Sequence, residues 1–340
     1  MRFKQLLLVP VTFSSAWAFV SSPAIGSEIF WSETNSDAVF GANVIDGSGQ
    51  RKIRDLDDTG IGEANYSITG LALADDFLYF TAAAQDRIFF ASTSPGGTPR
   101  GLFLNLDNAF GGGVDYRPQG ITANSDHVFW TDRETRTIYR ADTGLFSNAN
   151  NRTGVSALVT PLSASTSPRE IKVVGNDLYW TDTGVDAIFR SNLDGTGTTQ
   201  IVDLDSTFGS GSYFPGTITA TSEHVYWSDI ETDIIYRADR DGSNAIELID
   251  TNALPSDGPL GLVTDSQFLY WTTFAGNEIV VATLDGTIVT DRGFTPSPDP
   301  TVSGFNVNAL AIAVIPEPLS AGAACLLGGL ALRRRRVTFA

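Results

Sequence analysis

Apolar residues along this chain fall into short runs separated by turns rich in Gly, Asp and Ser, and the runs lack the three-and-four spacing of amphipathic helices. They recur in a fixed order. An apolar strand comes first, as in Gly70-Leu71-Ala72-Leu73 or Gly120-Ile121-Thr122-Ala123. A polar turn then leads into a strand carrying two adjacent aromatics followed by a small hydroxyl residue. A third strand such as Thr137-Ile138-Tyr139-Arg140 follows, then a Gly turn, clearest as Asp194-Gly195, Asp241-Gly242 and Asp285-Gly286. Asp-Gly at such a place predicts two-residue hairpins with positive φ at both centres. A fourth strand, for example Thr199-Gln200-Ile201-Val202, completes the unit.

The aromatic pairs set the period. They read Phe30-Trp31-Ser32-Glu33, Tyr79-Phe80-Thr81, Phe129-Trp130-Thr131-Asp132, Tyr179-Trp180-Thr181-Asp182, Tyr226-Trp227-Ser228-Asp229 and Tyr270-Trp271-Thr272. Successive second aromatics stand 49, 50, 50, 47 and 44 residues apart. Four antiparallel strands per repeat predict the blade of an all-β propeller, here with six blades over residues 28–314. The first repeat starts directly at its aromatic strand. Its missing first strand stands at the other end, as Val307-Asn308-Ala309-Leu310-Ala311-Ile312-Ala313-Val314. This segment is predicted to lie beside Glu28–Ser32 and close the ring, which removes the open sheet edge.

The repeats resemble the YWTD blades of the low-density-lipoprotein receptor family. The match is best in blades three to five and degenerate in blade two, where Phe80 and Ala82 replace Trp and Asp, and in blade six, where Thr273 replaces Asp. The resemblance implies a role in interaction, and the propeller is expected to be monomeric.

The two ends carry other signals. Residues 1–18 read as a secretory signal: Arg2 and Lys4, the apolar run Leu6 to Phe13, then Ala16-Trp17-Ala18 as a signal-peptidase site. Residues 315–340 combine Pro316-Glu317-Pro318, the apolar stretch Leu319 to Leu332, and Arg333, Arg334, Arg335 and Arg336. An apolar stretch ahead of a cationic cluster is a stop-transfer pattern. The three-part order resembles the PEP-CTERM sorting signal. That resemblance implies transient anchoring in the membrane and processing by an exosortase-type enzyme, with the protein destined for the cell surface or extracellular matrix. On this topology both chain ends leave from the face carrying the turns between first and second strands, so the opposite face points away from the membrane.

Charge follows the same line. The formal net charge is −17, and setting aside the six basic residues of the end segments leaves 16 basic against 39 acidic side chains, a balance of −23. Such a surface repels nucleic acid and anionic lipid. Cys325, the only cysteine, lies in the tail, so no intramolecular disulfide forms.

Candidate chemistry is sparse. Asp132, Asp182 and Asp229 stand two residues after the marker aromatic, and Arg140, Arg190 and Arg237 stand ten after it in the same blades. This co-occurrence predicts charge-assisted bonds within or between blades, a structural use because it repeats around the ring. His127 and His224 occupy equivalent turns two blades apart, too far to share a metal ion, and read as surface residues. Arg117, Arg169 and Glu170 are the main charges near the starts of the channel-lining strands. Three loops entering first strands share a pattern of Asp, Gly and aromatics: Asp57 with Tyr66; Asp107 and Phe110 with Tyr116; Asp205 and Phe208 with Tyr213. Carboxylates beside aromatic rings suit a sugar or Ca²⁺, whereas the plainer reading is that Gly turns, Asp caps and the rings hold each loop down. No cofactor is called for. The expected function is a non-enzymatic exported propeller binding an extracellular polysaccharide or surface protein. The alternative is a divalent-metal-assisted hydrolase or lyase, lactonase-like, at the central channel.

Overall fold

A computed structural model describes residues 28–33, 38–43, 47–56, 66–93, 101–143, 154–254, 258–273, 278–288 and 313–315. The signal segment, Asp57, residues 307–312 and the sorting tail from Pro316 lie outside the described residues.

Six antiparallel sheets stand in a ring. The first holds β1 (Glu28–Glu33), β2 (Ala38–Asn43) and β3 (Arg51–Asp55). The second holds β4 (Ile68–Ala74), β5 (Phe77–Ala82), β6 (Arg87–Ser92) and β7 (Leu102–Asn105). The third is β8 (Pro118–Ala123), β9 (His127–Asp132), β10 (Thr137–Asp142) and β11 (Ser156–Val159). The fourth is β12 (Pro168–Val174), β13 (Asp177–Asp182), β14 (Ala187–Asn192) and β15 (Thr199–Asp203). The fifth is β16 (Pro215–Ala220), β17 (His224–Asp229), β18 (Ile234–Asp239) and β19 (Ile246–Asp250). The sixth is β20 (Pro259–Thr264), β21 (Phe268–Thr273) and β22 (Ile279–Thr283), with Ala282 bridged to Ile288 where its outer strand begins.

Closure follows the predicted seam. The last strand, β23 (Ala313–Ile315), pairs antiparallel with β1, setting Glu28 opposite Ile315 and Phe30 opposite Ala313. First strands neighbour one another around the axis in the order β4, β8, β12, β16, β20, β23 and back to β4. The ring is a six-bladed β-propeller. Proline opens the first strand in blades three to six, where its missing N–H faces the channel instead of a ladder partner.

The core sits between blades. Six apolar clusters each draw on two adjacent blades, and the one joining Ile29, Trp31 and Phe40 to Tyr270 and Val281 closes the circle. In blades one to five the marker aromatic stacks on the ring directly opposite it on the third strand, whereas in blade six Trp271 stands opposite Val280. Trp130 stacks on Tyr139 at 5.5 Å, Trp180 on Phe189 at 5.5 Å and Trp227 on Tyr236 at 5.5 Å; Phe80 on Phe89 and Trp31 on Phe40 do the same. Such cross-strand aromatic pairs are the side-chain unit that stabilises a sheet. They explain why the marker position keeps a large ring.

The Asp-Gly turns differ from the two-residue form expected. Asn192 and Thr196 close a loop of three residues in which Gly195 takes φ +81° while Asp194 keeps negative φ. The Asp194 carboxylate accepts from the Thr196 N–H at 3.0 Å, and Asp241 accepts from Ser243 at 2.9 Å in the same way. One left-handed glycine and one side-chain cap are enough to turn the strand, so Asp need not adopt positive φ.

Candidate functional site

The marker hydroxyl and the carboxylate after it fix the innermost strands, and so shape the channel mouth. Thr131 Oγ1 accepts from the Gly120 N–H at 3.0 Å within its blade and donates to the Arg169 carbonyl at 2.5 Å in the next. Thr81 donates to the Gln119 carbonyl at 2.7 Å and Thr181 to the Gly216 carbonyl at 3.2 Å, in each case one blade on. This joint was not foreseen. Its signal was present, because the marker keeps Ser or Thr in all six repeats.

The aspartates correct the predicted Asp–Arg pairing. Asp132 accepts from the backbone N–H of Arg117 at 2.8 Å and of Thr135 at 2.9 Å. Asp182 accepts from Ser167 and Gly184, and Asp229 from Phe214, Glu231 and Thr232. Each carboxylate ties the end of an incoming loop to the turn between second and third strands. Burial pushes all three carboxyls up, against these hydrogen bonds. The arginines lie elsewhere on the blade. Cross-strand register sets Arg140 opposite Phe129, Arg190 opposite Tyr179 and Arg237 opposite Tyr226, whereas the aspartates end the second strand. Arg190 pairs instead with Asp177 at 2.8 Å.

One residue just before the first strand is thereby held in place in blades three to five, Arg117, Ser167 and Phe214, and Ser67 stands at the same place in blade two. In blades two to five its carbonyl also accepts from the turn beyond the marker, as Arg133 N–H to Arg117 and Ile230 N–H to Phe214. The backbone is fixed and the side chains differ. Arg117 and Arg133 are exposed, and Phe214 remains 37% exposed. The Arg169 guanidinium lies 4.6 Å from the Phe214 ring centroid, a cation–π contact across two blades. Burial pulls the Arg169 guanidinium down, Glu170 opposes that, and nearby Arg133 adds to it. An acidic protein thus gathers three arginines and an open aromatic ring at one side of the channel mouth.

Deeper in the channel, β12 carries Glu170 and Lys172 where blades two, three, five and six have Gly or Thr at the first position and Ala, Thr or Val at the second. Burial raises the Glu170 carboxyl to about 8, opposed by Arg169 and by N–H groups of Ile171 and Ile121; burial lowers Lys172.

The entry loops form two short helices, α1 (Leu106–Phe110) and α2 (Leu204–Phe208), capped by Asn105 and Asp203. Asp107 and Asp205 are exposed in their first turns, and their carbonyls accept from Gly111 and Gly209. Phe110 packs on Tyr139 at 4.7 Å and on Tyr116; Phe208 packs on Tyr236 at 4.7 Å. Tyr66 and Tyr116 are buried, at 0% and 5% exposure, and the Tyr213 hydroxyl donates to the Gly209 carbonyl at 2.8 Å. These rings secure the loops and leave little face for a ligand. Asp86, beside Asp107 and Asp115, is pushed up to about 6, by burial first and then by those carboxylates. Among the described residues no group of three or more His, Cys, Asp or Glu side chains is placed to hold a metal ion. His127 and His224 pair across their blades with Asp142 and Asp239, at 3.5 and 3.4 Å.

No protein-family model and no curated protein matches the chain. Solved structures do. A chain of a nidogen/laminin complex is 19% identical, covering 85% of this chain and 98% of its own, with a TM-score of 0.63. A streptogramin B lyase is 15% identical over 80% of each chain, TM-score 0.55. The virginiamycin B lyase of Staphylococcus aureus, a catalytically inactive variant with quinupristin, is 18% identical over 77% of this chain and 79% of its own, TM-score 0.54. What they share with this chain is the fold. Propellers on this plan serve in a laminin complex and as lyases alike, so fold alone does not assign activity.

Proposed function

We propose that this chain is an exported, non-enzymatic propeller that binds a polysaccharide or protein partner at the cell surface or in its polymer matrix. The observation that carries the reading is the rim at the mouth of the channel. The repeated Asp bonds fix one backbone position in each of blades three to five and leave Arg117 and Phe214 open beside Arg169 and Arg133. A rigid mount with unlike side chains is what selective binding requires. The resemblance to YWTD blades points the same way. Export rests on the sequence of the two ends, with signal peptidase acting after Ala18 and an exosortase-type enzyme acting at Pro316-Glu317-Pro318. The rim then faces away from the membrane. Ca²⁺ on the loops bearing Asp57, Asp107 and Asp205 is compatible with this reading and not needed by it.

The test is an array of matrix polysaccharides and surface proteins probed with the mature protein. A retained partner that is lost from Arg117→Ala/Phe214→Ala supports the reading; no retained partner at all ends it. A second reading, a metal-assisted hydrolase or lyase at the channel, draws on Glu170, whose carboxyl holds its proton at neutral pH as a general acid must. It requires a divalent ion in the purified protein, which metal analysis measures directly.

A further inference from the structure

On the face opposite the rim, the junctions between blades four and five and between five and six are built from equivalent residues that have diverged. At the first junction, the Asp177 carboxylate lies between two guanidinium groups. Arg190 reaches it from the same blade at 2.8 Å and Arg240 from the next at 2.5 Å. Arg240 also donates to the Tyr179 hydroxyl at 2.9 Å and the Val174 carbonyl at 3.1 Å. The space is full. At the second junction the arginine and tyrosine recur as Arg237 and Tyr226, but His224 stands for Asp177 and Leu284 for Arg240. The His224 imidazole faces Asp239 at 3.4 Å. Leucine is too short to do what Arg240 does, and a cavity of about 540 Å³ opens there.

Arg237 lines this cavity with no carboxylate partner among the described residues, having lost the one its counterpart Arg190 keeps. Glu223 lines it too, exposed and with no partner for its carboxylate among the described residues, and both charges act on the Tyr226 phenol. Ser222 and Ser266 add hydroxyls to the wall. Asp265, also in the wall, is already committed to the N–H groups of Gln267 and Phe268 and to the Tyr270 hydroxyl.

We propose that this cavity binds a carboxylated sugar, a hexuronate residue, alone or at the end of a glycan. Its carboxylate takes the place that Asp177 holds in the preceding junction and meets Arg237, a charge-assisted pairing. Its ring hydroxyls donate to the Glu223 carboxylate and exchange hydrogen bonds with Ser222 and Ser266. A polyanion such as phosphate is disfavoured by the carboxylates of Glu223, Asp265 and Asp285 around the wall. The site lies on the far face from the rim, so this inference and the partner-binding reading stand or fall separately.

The experiment is calorimetric titration of the full chain with D-glucuronate, D-glucose and inorganic phosphate. Glucuronate binds; glucose binds roughly tenfold or more weakly, the change expected on losing a charge-assisted bond; phosphate does not bind. Arg237→Gln lowers glucuronate affinity by a similar factor. A second variant, His224→Asp/Leu284→Arg, rebuilds the filled junction of blades four and five and abolishes binding while the fold is kept. The proposal is overturned if the folded wild-type chain takes up no glucuronate, if glucose binds equally well, if phosphate is preferred, or if the refilled variant binds as before.

Discussion

The Thr181 hydroxyl donates to the Gly216 carbonyl oxygen across 3.2 Å, joining the second strand of blade four to the first strand of blade five. The same hydroxyl accepts from the Glu170 N–H at 3.1 Å. A side chain of a few atoms thus serves two buried backbone groups in different blades. Apolar packing between blades is non-directional, and bonds of this kind fix how far one sheet slides past the next.

Replacing Thr131 by Val tests the joint at near-constant shape. The change leaves the Gly120 N–H and the Arg169 carbonyl unpaired, at a cost of about 1–3 kcal/mol for each buried group. Chemical denaturation of Thr131→Val is expected to show a loss of about 2 kcal/mol or more, and Thr131→Ser, the form blade five uses at Ser228, to recover most of it. Equal stabilities for the Val and Ser forms would show that the hydroxyl does not act as a joint.

Close approach of the first strands makes a second prediction. A Cβ on Gly120 would lie 2.6 Å from both the Arg169 carbonyl oxygen and the Glu170 Cα, and one on Gly70 would lie 2.3 Å from the Gln119 carbonyl oxygen. These are backbone atoms and cannot swing aside. Gly120→Ala is therefore expected to push blades three and four apart and lower the melting temperature by several degrees, as about 1–3 kcal/mol of overpacking does in a large domain. Gly101→Ala, where nothing lies within 4 Å, serves as the control.

The marker tryptophans are large and buried, yet among the described residues the indole N–H groups of Trp130, Trp227 and Trp271 have no acceptor. Packing area is opposed by an unpaired donor. Trp227→Phe keeps the stack on Tyr236, removes that donor and matches Phe80 in blade two. It is expected to cost about 1 kcal/mol, whereas Trp227→Ala costs about 3–5 kcal/mol by cavity formation. Urea titrations of the two variants check the contrast.

Much of the fold was legible because ring stacking forces one residue type to recur at a fixed place. The seam was legible too, since a first blade lacking its first strand must borrow one, and β23 supplies it beside β1. The Asp–Arg pairing was misread because spacing along the chain does not say which end of a strand each residue reaches. Register decides that, and it sets the aspartates at the loop end, where backbone N–H groups collect. The Asp-Gly turns were misread for a related reason: the Asp carboxylate caps the turn. The cavity at Arg237 was not visible in one repeat. It appears only when His224 is set against Asp177 and Leu284 against Arg240, a comparison between junctions and not between blades.

Glu170 makes the stability of the ring depend on pH, with a definite sign. Its carboxyl is raised from an ordinary value of 4.5 to about 8, mainly by burial. Between those values the folded chain holds a proton that the unfolded chain has released, so stability falls as pH rises through this window and levels off above it. Lys172, pulled down by burial, acts in the opposite sense as the pH approaches its own range, so the two groups must be separated by substitution. Glu170→Gln keeps the size and the hydrogen-bonding edge while removing the titration. Denaturation of the variant is expected to be flatter than wild type from about pH 5 to 8, with the variant the more stable form at the alkaline end. If wild type and variant lose stability in parallel over that range, the Glu170 carboxyl is ionised in the folded ring and its part as a proton donor in any channel chemistry falls with it.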